Sequence, residues 1–260
     1  MFEFFRKKEA RLPSDEASKL AALKSAIEVQ KKTDPLVGLK IGAKEVNQRL
    51  INGLKNEKGV HIESFHTVLG SLAGFSCQMS LREELADQAR ASSEKVVLAV
   101  ASGADGKKYY FGDSLNKPLA ESQYSIWSLA AGAAQKLGAT VPDVGEIFAH
   151  VAATVGGDAF GIPRIPDDHS PGDLPLNYLK VIWPSIFPVV AQFSDKPSEW
   201  PILFGIAIQE AIMMAKGVID PCLAVTIVME SAVPMSKVDL PDFYRSPDSP
   251  VAKSKNLEIW

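Results

Sequence analysis

The residues of this sequence that could carry out chemistry are acids and histidines on predicted helices. Glu63 and His66 stand three positions apart in HIESFHTVLG, the spacing with which carboxylate-bridged dimetal proteins direct two ligands into a helical bundle. Glu146 and His150 are four positions apart, so their side chains also share one helix face. Together with two acids from apolar segments, the candidate ligands for a divalent metal are Glu63, His66, Glu146, His150, Glu210 and Glu230.

A metal is one of two ways to neutralise these acids, because burying an ionised carboxylate without a partner costs several kcal/mol. In the structural alternative, His66 and His150 each hydrogen-bond to a local acid or to a backbone carbonyl. Glu210 and Glu230 then cap chain breaks or pair with a cation, for which the candidates are Lys180, Arg164 and Lys237. The sequence has no Cys and His spacing typical of structural zinc.

The long loop from Gly156 to Pro175 contains two candidate binding residues, Arg164 and His169. Loops of this length in compact domains are usually functional or disordered. Arg164 could hold an anion through a bidentate contact, and its structural alternative is an ion pair with Asp158 or Asp173. His169 lies in PDDHSPGD without the strained serine turn that a catalytic triad requires, which favours a solvated acidic loop.

Trp183 is a third candidate binding residue, since it precedes a proline in the apolar segment IWPSIFPVV. Such an aromatic side chain lines a pocket, forms an interface or belongs to the core, and the apolar surroundings favour the core. The same surroundings predict that four methionines fill core space: Met213, Met214, Met229 and Met235.

The elements that must position these residues are mostly helices, because N-cap residues and first-turn prolines mark several helix starts. Asp220-Pro221 is one such start, and Ser198 is expected to cap another. The predicted helices span residues 14–31, 34–55, 61–92, 119–137, 143–155, 176–193, 199–216 and 221–230. The last of these, CLAVTIVME, would also suit a buried strand, but its start favours a helix.

One β-hairpin interrupts this helical pattern. Residues 96–101 and 109–111 form two β-prone runs on either side of Asp105-Gly106, a dipeptide typical of hairpin turns. An isolated hairpin is only marginally stable, so we expect it to pack against helices.

The helix from His61 to Ser92 is predicted to be central, because its stretch from His61 to Leu81 is apolar or small on every side. Gly70 and Gly74 lie on one face and let another element approach closely. Another helix is the favoured neighbour and a ligand is the alternative. The helices rich in small residues are at 128–139 and 149–157, so they are the expected partners.

The composition excludes some classes of protein. The net charge of -3 provides no basic patch for duplex nucleic acid. No uninterrupted apolar run is long enough for a transmembrane helix, and the two cysteines indicate no disulfide framework. We therefore expect a cytoplasmic protein.

These patterns predict a single, mainly α domain over residues 1–260, built around a central buried helix with one β-hairpin, with residues 1–13 and 246–260 mobile or peripheral. Two functions follow from it. The preferred one is a non-catalytic protein that binds a protein partner, a second copy of itself or a small ligand. The alternative is a helical enzyme with an interior Glu and His site, with a divalent metal as its cofactor.

Overall fold

The computed structural model describes residues 14–91, 98–194 and 196–241. Over these residues the prediction of a mainly α protein with a β-hairpin is confirmed. The predictions for residues 1–13 and 246–260 lie outside the described part. The helices are α1 (Ser14–Gln30), α2 (Val37–Leu54), α3 (Ile62–Ala91), α4 (Asp113–Asn116), α5 (Ile126–Lys136), α6 (Val144–Thr154), α7 (Pro175–Phe193), α8 (Trp200–Met214) and α9 (Pro221–Met235).

Helix α3 is the centre of the molecule, as its sequence predicts. Every residue from 63 to 81 is buried, and the helix packs against α2, α7, α8 and α9. A helix in this position has no solvent side, which explains why its apolar and small residues follow no amphipathic pattern. Its buried polar side chains must therefore find partners inside the protein.

The small face of α3 meets the backbone of α9, so the expected partners at 128–139 and 149–157 are wrong. A Cβ atom on Gly70 would overlap the carbonyl of Val228, and one on Gly74 would overlap the carbonyl of Ala232. Farther along, Gln78 donates to the carbonyl of Ser236 at 3.0 Å. Residue numbers rise together along both helices, so α3 and α9 run parallel over their length.

Helix α9 is confirmed as a helix despite its β-branched residues. The side chain of Asp220 accepts a hydrogen bond from the amide of Leu223 at 2.9 Å, and Pro221 occupies the first turn. This N-cap satisfies an amide that would otherwise lack a partner. None of the described helices has the combination of length and apolarity needed to cross a membrane.

Two predicted helix starts are wrong. Helix α5 begins at Ile126, not near Leu119, because a π-helical turn at Lys117–Glu121 precedes it and Ser125 accepts from the amide of Ser128. Helix α8 begins at Trp200 after a short helical turn at Pro197–Glu199, so Ser198 is not its cap. The start of α5 is therefore set by a local serine cap at Ser125.

The hairpin pairs β1 (Ala99–Ser102) with β2 (Lys108–Phe111), in antiparallel register, with Ala99 opposite Phe111. Its predicted beginning at Val96 lies outside the described residues. Gly106 has a φ of 74°, which suits the turn. Outside the hairpin, the amide of Tyr110 donates to the carbonyl of Lys237 at 2.9 Å, so the hairpin rests on the segment after α9.

Candidate functional site

The first polar cluster lies where α3 begins, and Ser64 is at its centre. The Ser64 hydroxyl accepts from the amide of Gly172 at 2.9 Å and from the hydroxyl of Tyr178 at 3.0 Å. Its oxygen also lies 2.9 Å from Nδ1 of His61, which can accept its single proton. Because one hydroxyl offers one donor and two acceptor sites, this set uses all of them. Ser64 therefore fastens the α6–α7 loop, residues 155–174, to α3.

Glu63 binds the same loop through His169. Nδ1 of His169 lies 2.8 Å from Oε1 of Glu63, while Nε2 of His61 lies 3.5 Å from Oε2. Glu63 is 9% exposed, so its carboxylate is held between two imidazoles near the protein surface. The acidic loop around His169 is exposed at Asp167 and Asp168, as predicted, but His169 itself is half-buried and paired with α3.

The contact between His169 and Glu63 shifts the pKa of each group so that its charged form is favoured. The hydrogen bond to Glu63 raises the pKa of His169, against the opposing effect of burial. For Glu63, burial favours the neutral acid, but the hydrogen bond from His169, together with a backbone hydrogen bond, outweighs burial and lowers the pKa. Each partner thus favours the charged form of the other.

Arg164 ties the α6–α7 loop to α9. Its Nη2 lies 2.7 Å from Oε1 of Glu230 and its Nε lies 2.9 Å from the same oxygen. The predicted partners Asp158 and Asp173 are therefore wrong, whereas Arg164 was one of the cations expected for Glu230. Nη2 also donates to the carbonyl of Glu146 at 3.4 Å. Glu230 is 3% exposed, and this contact supplies the cation that a buried carboxylate needs.

His66 is fully buried, and its Nδ1 lies 2.9 Å from the carbonyl of Ile62. Burial lowers its pKa, which keeps the ring neutral, and Nε2 has no hydrogen-bond partner. On α6, Glu146 is exposed and His150 is half-buried. Two of the candidate ligands thus have partners of their own, since Glu63 pairs with His169 and Glu230 with Arg164. Among the described residues, no group of three or more His, Cys, Asp or Glu side chains is arranged to hold a metal ion.

The sixth candidate, Glu210, lies in a different place, an open groove of about 650 Å³ between α2, α8 and the end of α5. We call it the α2–α8 groove. This volume is in the range typical of small-molecule sites, roughly 300–1,000 Å³. The groove combines charged, amide and apolar side chains, which include Lys44, Asn47, Ile51, Lys136, Glu210 and Met213.

Asn47 is one of the residues that line the α2–α8 groove. It is 3% exposed, and its Nδ2 donates to the carbonyl of Ala207 at 3.0 Å. That bond fixes the orientation of the amide, because the reverse orientation would place two oxygens against each other. Oδ1 is left buried with no partner. Because Oδ1 has almost no accessible surface, it faces the packed interior and not the open groove.

The charges of the groove come from three helices. Lys44 is on α2, Lys136 is in the last turn of α5, and Glu210 is on α8. Burial raises the pKa of Glu210, and the charge of Lys44 and a side-chain hydrogen bond with Asn47 oppose that rise. Within the described part of the chain, neither lysine forms a salt bridge.

Two of the four methionines are not core residues. Met229 and Met235 are buried as predicted, but Met213 is 41% exposed and Met214 is 57% exposed, and both line the α2–α8 groove. Exposed methionines suit ligand contacts because the thioether side chain is flexible and polarizable. Sequence reasoning missed Asn47, Lys44 and this role for the methionines, since no local pattern distinguishes them from ordinary helix residues.

A second groove of about 300 Å³ lies near the middle of α3 and the start of α8, where Glu84 and Lys117 are among its lining residues. Burial raises the pKa of Glu84. None of the described residues lining this groove carries a buried polar atom without a partner.

Trp183 belongs to the core and lines neither groove. It is 3% exposed, and its ring centroid lies 4.8 Å from that of Phe75 and 5.0 Å from that of Phe187. The contact with Phe75 joins α7 to α3.

Comparison of the whole chain with protein-family models, with curated proteins and with solved structures finds no match.

Proposed function

We propose that this chain is a non-catalytic binding protein that takes a small molecule in the α2–α8 groove. The observation that carries the proposal is the groove itself, whose volume of about 650 Å³ suits a small molecule. Charged side chains of Lys44, Lys136 and Glu210 line it, and Ile51 and Met213 supply apolar surface beside them.

The binding hypothesis is preferred over the enzyme alternative because the expected catalytic groups have structural partners. Glu63 pairs with His169, and Glu230 pairs with Arg164. The hydroxyl of Ser64 has no free hydrogen-bonding site left for the activation of a nucleophile. These groups hold a loop in place, whereas the α2–α8 groove offers a concave surface with polar groups directed from several helices.

The first experiment is a fluorescence titration of the full chain with anilinonaphthalene sulfonate, an apolar anionic dye. Wild type should show saturable binding at one site. Gln48→Trp places a large ring on the groove wall and should weaken binding at least about tenfold. Gln135→Trp is the matched control, since Gln135 is an exposed α5 residue outside the groove, and it should bind as wild type does. Equal binding by both variants would contradict the proposal.

Native mass spectrometry of the purified chain tests the enzyme alternative and the expectation of a homo-oligomer. Mass corresponding to one or two metal ions, lost in a Glu63→Ala and His66→Ala double variant, would favour the metal-dependent enzyme. The same spectrum reports whether the chain forms homo-oligomers. A protein partner and a cytoplasmic location stay predictions.

A further inference from the structure

A buried lysine, Lys237, follows α9 and does not line the α2–α8 groove. It is 3% exposed, and its backbone is fixed by several hydrogen bonds. Its amide donates to the carbonyl of Pro234 and its carbonyl accepts from the amide of Tyr110, each at 2.9 Å. Gln78 of α3 donates to the carbonyls of the residues before and after it, at 3.0 and 3.1 Å. The backbone from which this side chain extends is therefore firmly held.

The amine of Lys237 lies over two aromatic rings, where β2, α6 and the segment after α9 meet. Its Nζ is 5.4 Å from the ring centroid of Phe111 and 5.7 Å from that of Phe148. Within the described part of the chain, this Nζ has no salt bridge and no hydrogen-bond partner. Glu230, for which Lys237 was a candidate cation, pairs with Arg164 instead. The site therefore holds an unpaired amine in aromatic surroundings.

The amine keeps contact with solvent. Nζ is not among the enclosed side-chain atoms of the described residues that lack a hydrogen-bond partner, so the small accessible surface of Lys237 includes its amine. In this respect Lys237 differs from Asn47 and His66, whose unpaired atoms are enclosed. Phe111 and Phe148 are half-buried, so the amine lies one ring below the protein surface. A small molecule therefore has access to Nζ.

These surroundings favour the neutral amine over the ammonium ion. A ring face attracts a cation within about 6 Å, and both rings lie near that limit, so they compensate poorly for the loss of water around a charged amine. The nearby thiol of Cys77 supplies no negative charge, because burial raises its pKa. Burial lowers the pKa of Lys237 to about 8. At neutral pH about a tenth of this amine is therefore unprotonated, against about 0.04% of an ordinary exposed lysine.

We propose that Lys237 is a covalent binding site for a small apolar aldehyde, which its amine captures as an imine. The nitrogen lone pair attacks the carbonyl carbon, the nitrogen gives up both of its protons, and the carbonyl oxygen leaves with them as water while the C=N bond forms. No oxidant or reductant takes part, and water reverses the reaction. The imine is uncharged, so it suits this site better than an ammonium group does. Phe111 and Phe148 favour an apolar substituent on the aldehyde.

Reductive trapping of the full chain with butanal and sodium cyanoborohydride tests the proposal, because the reductant converts the imine into a stable secondary amine. After brief labelling at neutral pH, peptide mapping by mass spectrometry compares Lys237 with Lys55, an exposed lysine of the same chain. We expect Lys237 to be labelled at least about tenfold faster, since a larger fraction of it is unprotonated. Unfolding in guanidinium chloride should abolish the difference, because it removes the burial that distinguishes the two amines.

A matched probe and a matched pair of variants test the origin of this reactivity. The probe 4-oxobutanoate has the carbon chain of butanal with a carboxylate in place of the terminal methyl group, and it should label Lys237 no faster than Lys55. Phe148→Glu places a carboxylate beside Nζ and should stabilise the ammonium ion. Phe148→Gln has nearly the same shape without the charge, so butanal should label Lys237 more slowly in the glutamate variant than in the glutamine variant.

Three results would overturn the proposal. Equal labelling of Lys237 and Lys55 by butanal in the folded chain would leave Lys237 a structural cation. Equally fast labelling of Lys237 by both aldehydes would exclude an apolar ligand. Equal rates in the two Phe148 variants would show that the missing negative charge is not the source of the reactivity. The dye titration of the α2–α8 groove is independent of all three.

Discussion

At the scale of single residues, two ion pairs hold the α6–α7 loop against the helices. Arg164 joins it to Glu230 of α9, and His169 joins it to Glu63 of α3. Glu230 is the more deeply buried of the two acids, so its ionised form depends more strongly on a cationic partner. The histidine pair is closer to solvent and responds to pH.

Removal of Arg164 should be strongly destabilising. In Arg164→Met the carboxylate of Glu230 stays buried without a cation, and we expect the free energy of unfolding to fall by about 3 kcal/mol. Denaturant unfolding of the full chain measures this. The double variant Arg164→Met with Glu230→Met should recover at least half of the loss, because no buried charge remains. A double variant as unstable as the single one would contradict a dominant role for the unpaired charge.

The His169 and Glu63 pair should stabilise the loop most between about pH 4.5 and 6.5, the ordinary pKa values of the two groups. The pKa of His169 is raised, so its contribution is complete below its unfolded value and is lost as pH rises through the folded value. The pKa of Glu63 is lowered, so its contribution is lost as pH falls through that folded value.

His169→Gln tests this dependence, since glutamine keeps a donor but does not titrate. Hydrogen exchange at the amide of Gly172, which donates to Ser64, reports how firmly the loop is attached. After correction for intrinsic exchange rates, its protection should fall between pH 6.5 and 8.5 in wild type and change less in the variant. Equal pH dependence in both proteins would exclude His169 as the titrating group.

At the scale of elements, the parallel contact of α3 with α9 depends on two glycines that allow backbone to touch backbone. Gly70 and Gly74 lie against carbonyls of α9, where no side chain fits. The cost of glycine within a helix, roughly 1 kcal/mol each, is offset by the packing that this approach allows. The close contact also brings Gln78 within reach of the carbonyls of Ser236 and Val238.

Gly74→Ala should therefore destabilise the protein by about 3 kcal/mol or more, because its methyl group meets the fixed backbone of Ala232. The matched control is Gly132→Ala in α5, where an added Cβ has nothing within 4 Å. There the gain in helix propensity should stabilise the protein by about 0.5–1 kcal/mol. Thermal unfolding of both variants gives the comparison, and effects of the same sign would contradict the α3–α9 contact.

At the scale of the whole molecule, stability is concentrated around α3 and declines toward α1. Residues 63–81 are buried throughout, whereas Ile27 is the buried side chain among those described in α1. Among the larger contacts between helices, α1 takes part in one, its contact with α2. A helix with little buried surface gains little from tertiary packing and opens at low cost.

Hydrogen exchange followed by mass spectrometry should show this gradient. Amides of residues 65–80 should exchange last, at the rate set by global unfolding, and those of α1 should exchange first. Peptides from α9 should follow α3, since the two helices share a backbone contact. Equal protection of α1 and α3 would contradict this gradient, because it would require α1 to make more contacts with the other helices than the structure shows.

The sequence by itself determined the elements whose signals are local. Asp220 before Pro221 predicted the start of α9, and Asp105-Gly106 predicted the hairpin turn, because capping and turn formation involve atoms only a few residues apart. The absence of a polar side on the stretch from His61 to Leu81 predicted that this helix is central. These predictions hold in the described residues.

Only the tertiary structure decided which residues meet across long distances in sequence. Small residues permit close approach by any helix, so the pattern of Gly70 and Gly74 did not distinguish α9 from other neighbours. The partner of Arg164 was likewise undetermined, since several acids were chemically suitable. The α2–α8 groove depends on Asn47 and Lys136 coming together from different helices, and burial of apolar surface, which drives that assembly, is not directional and leaves no local signal in the sequence.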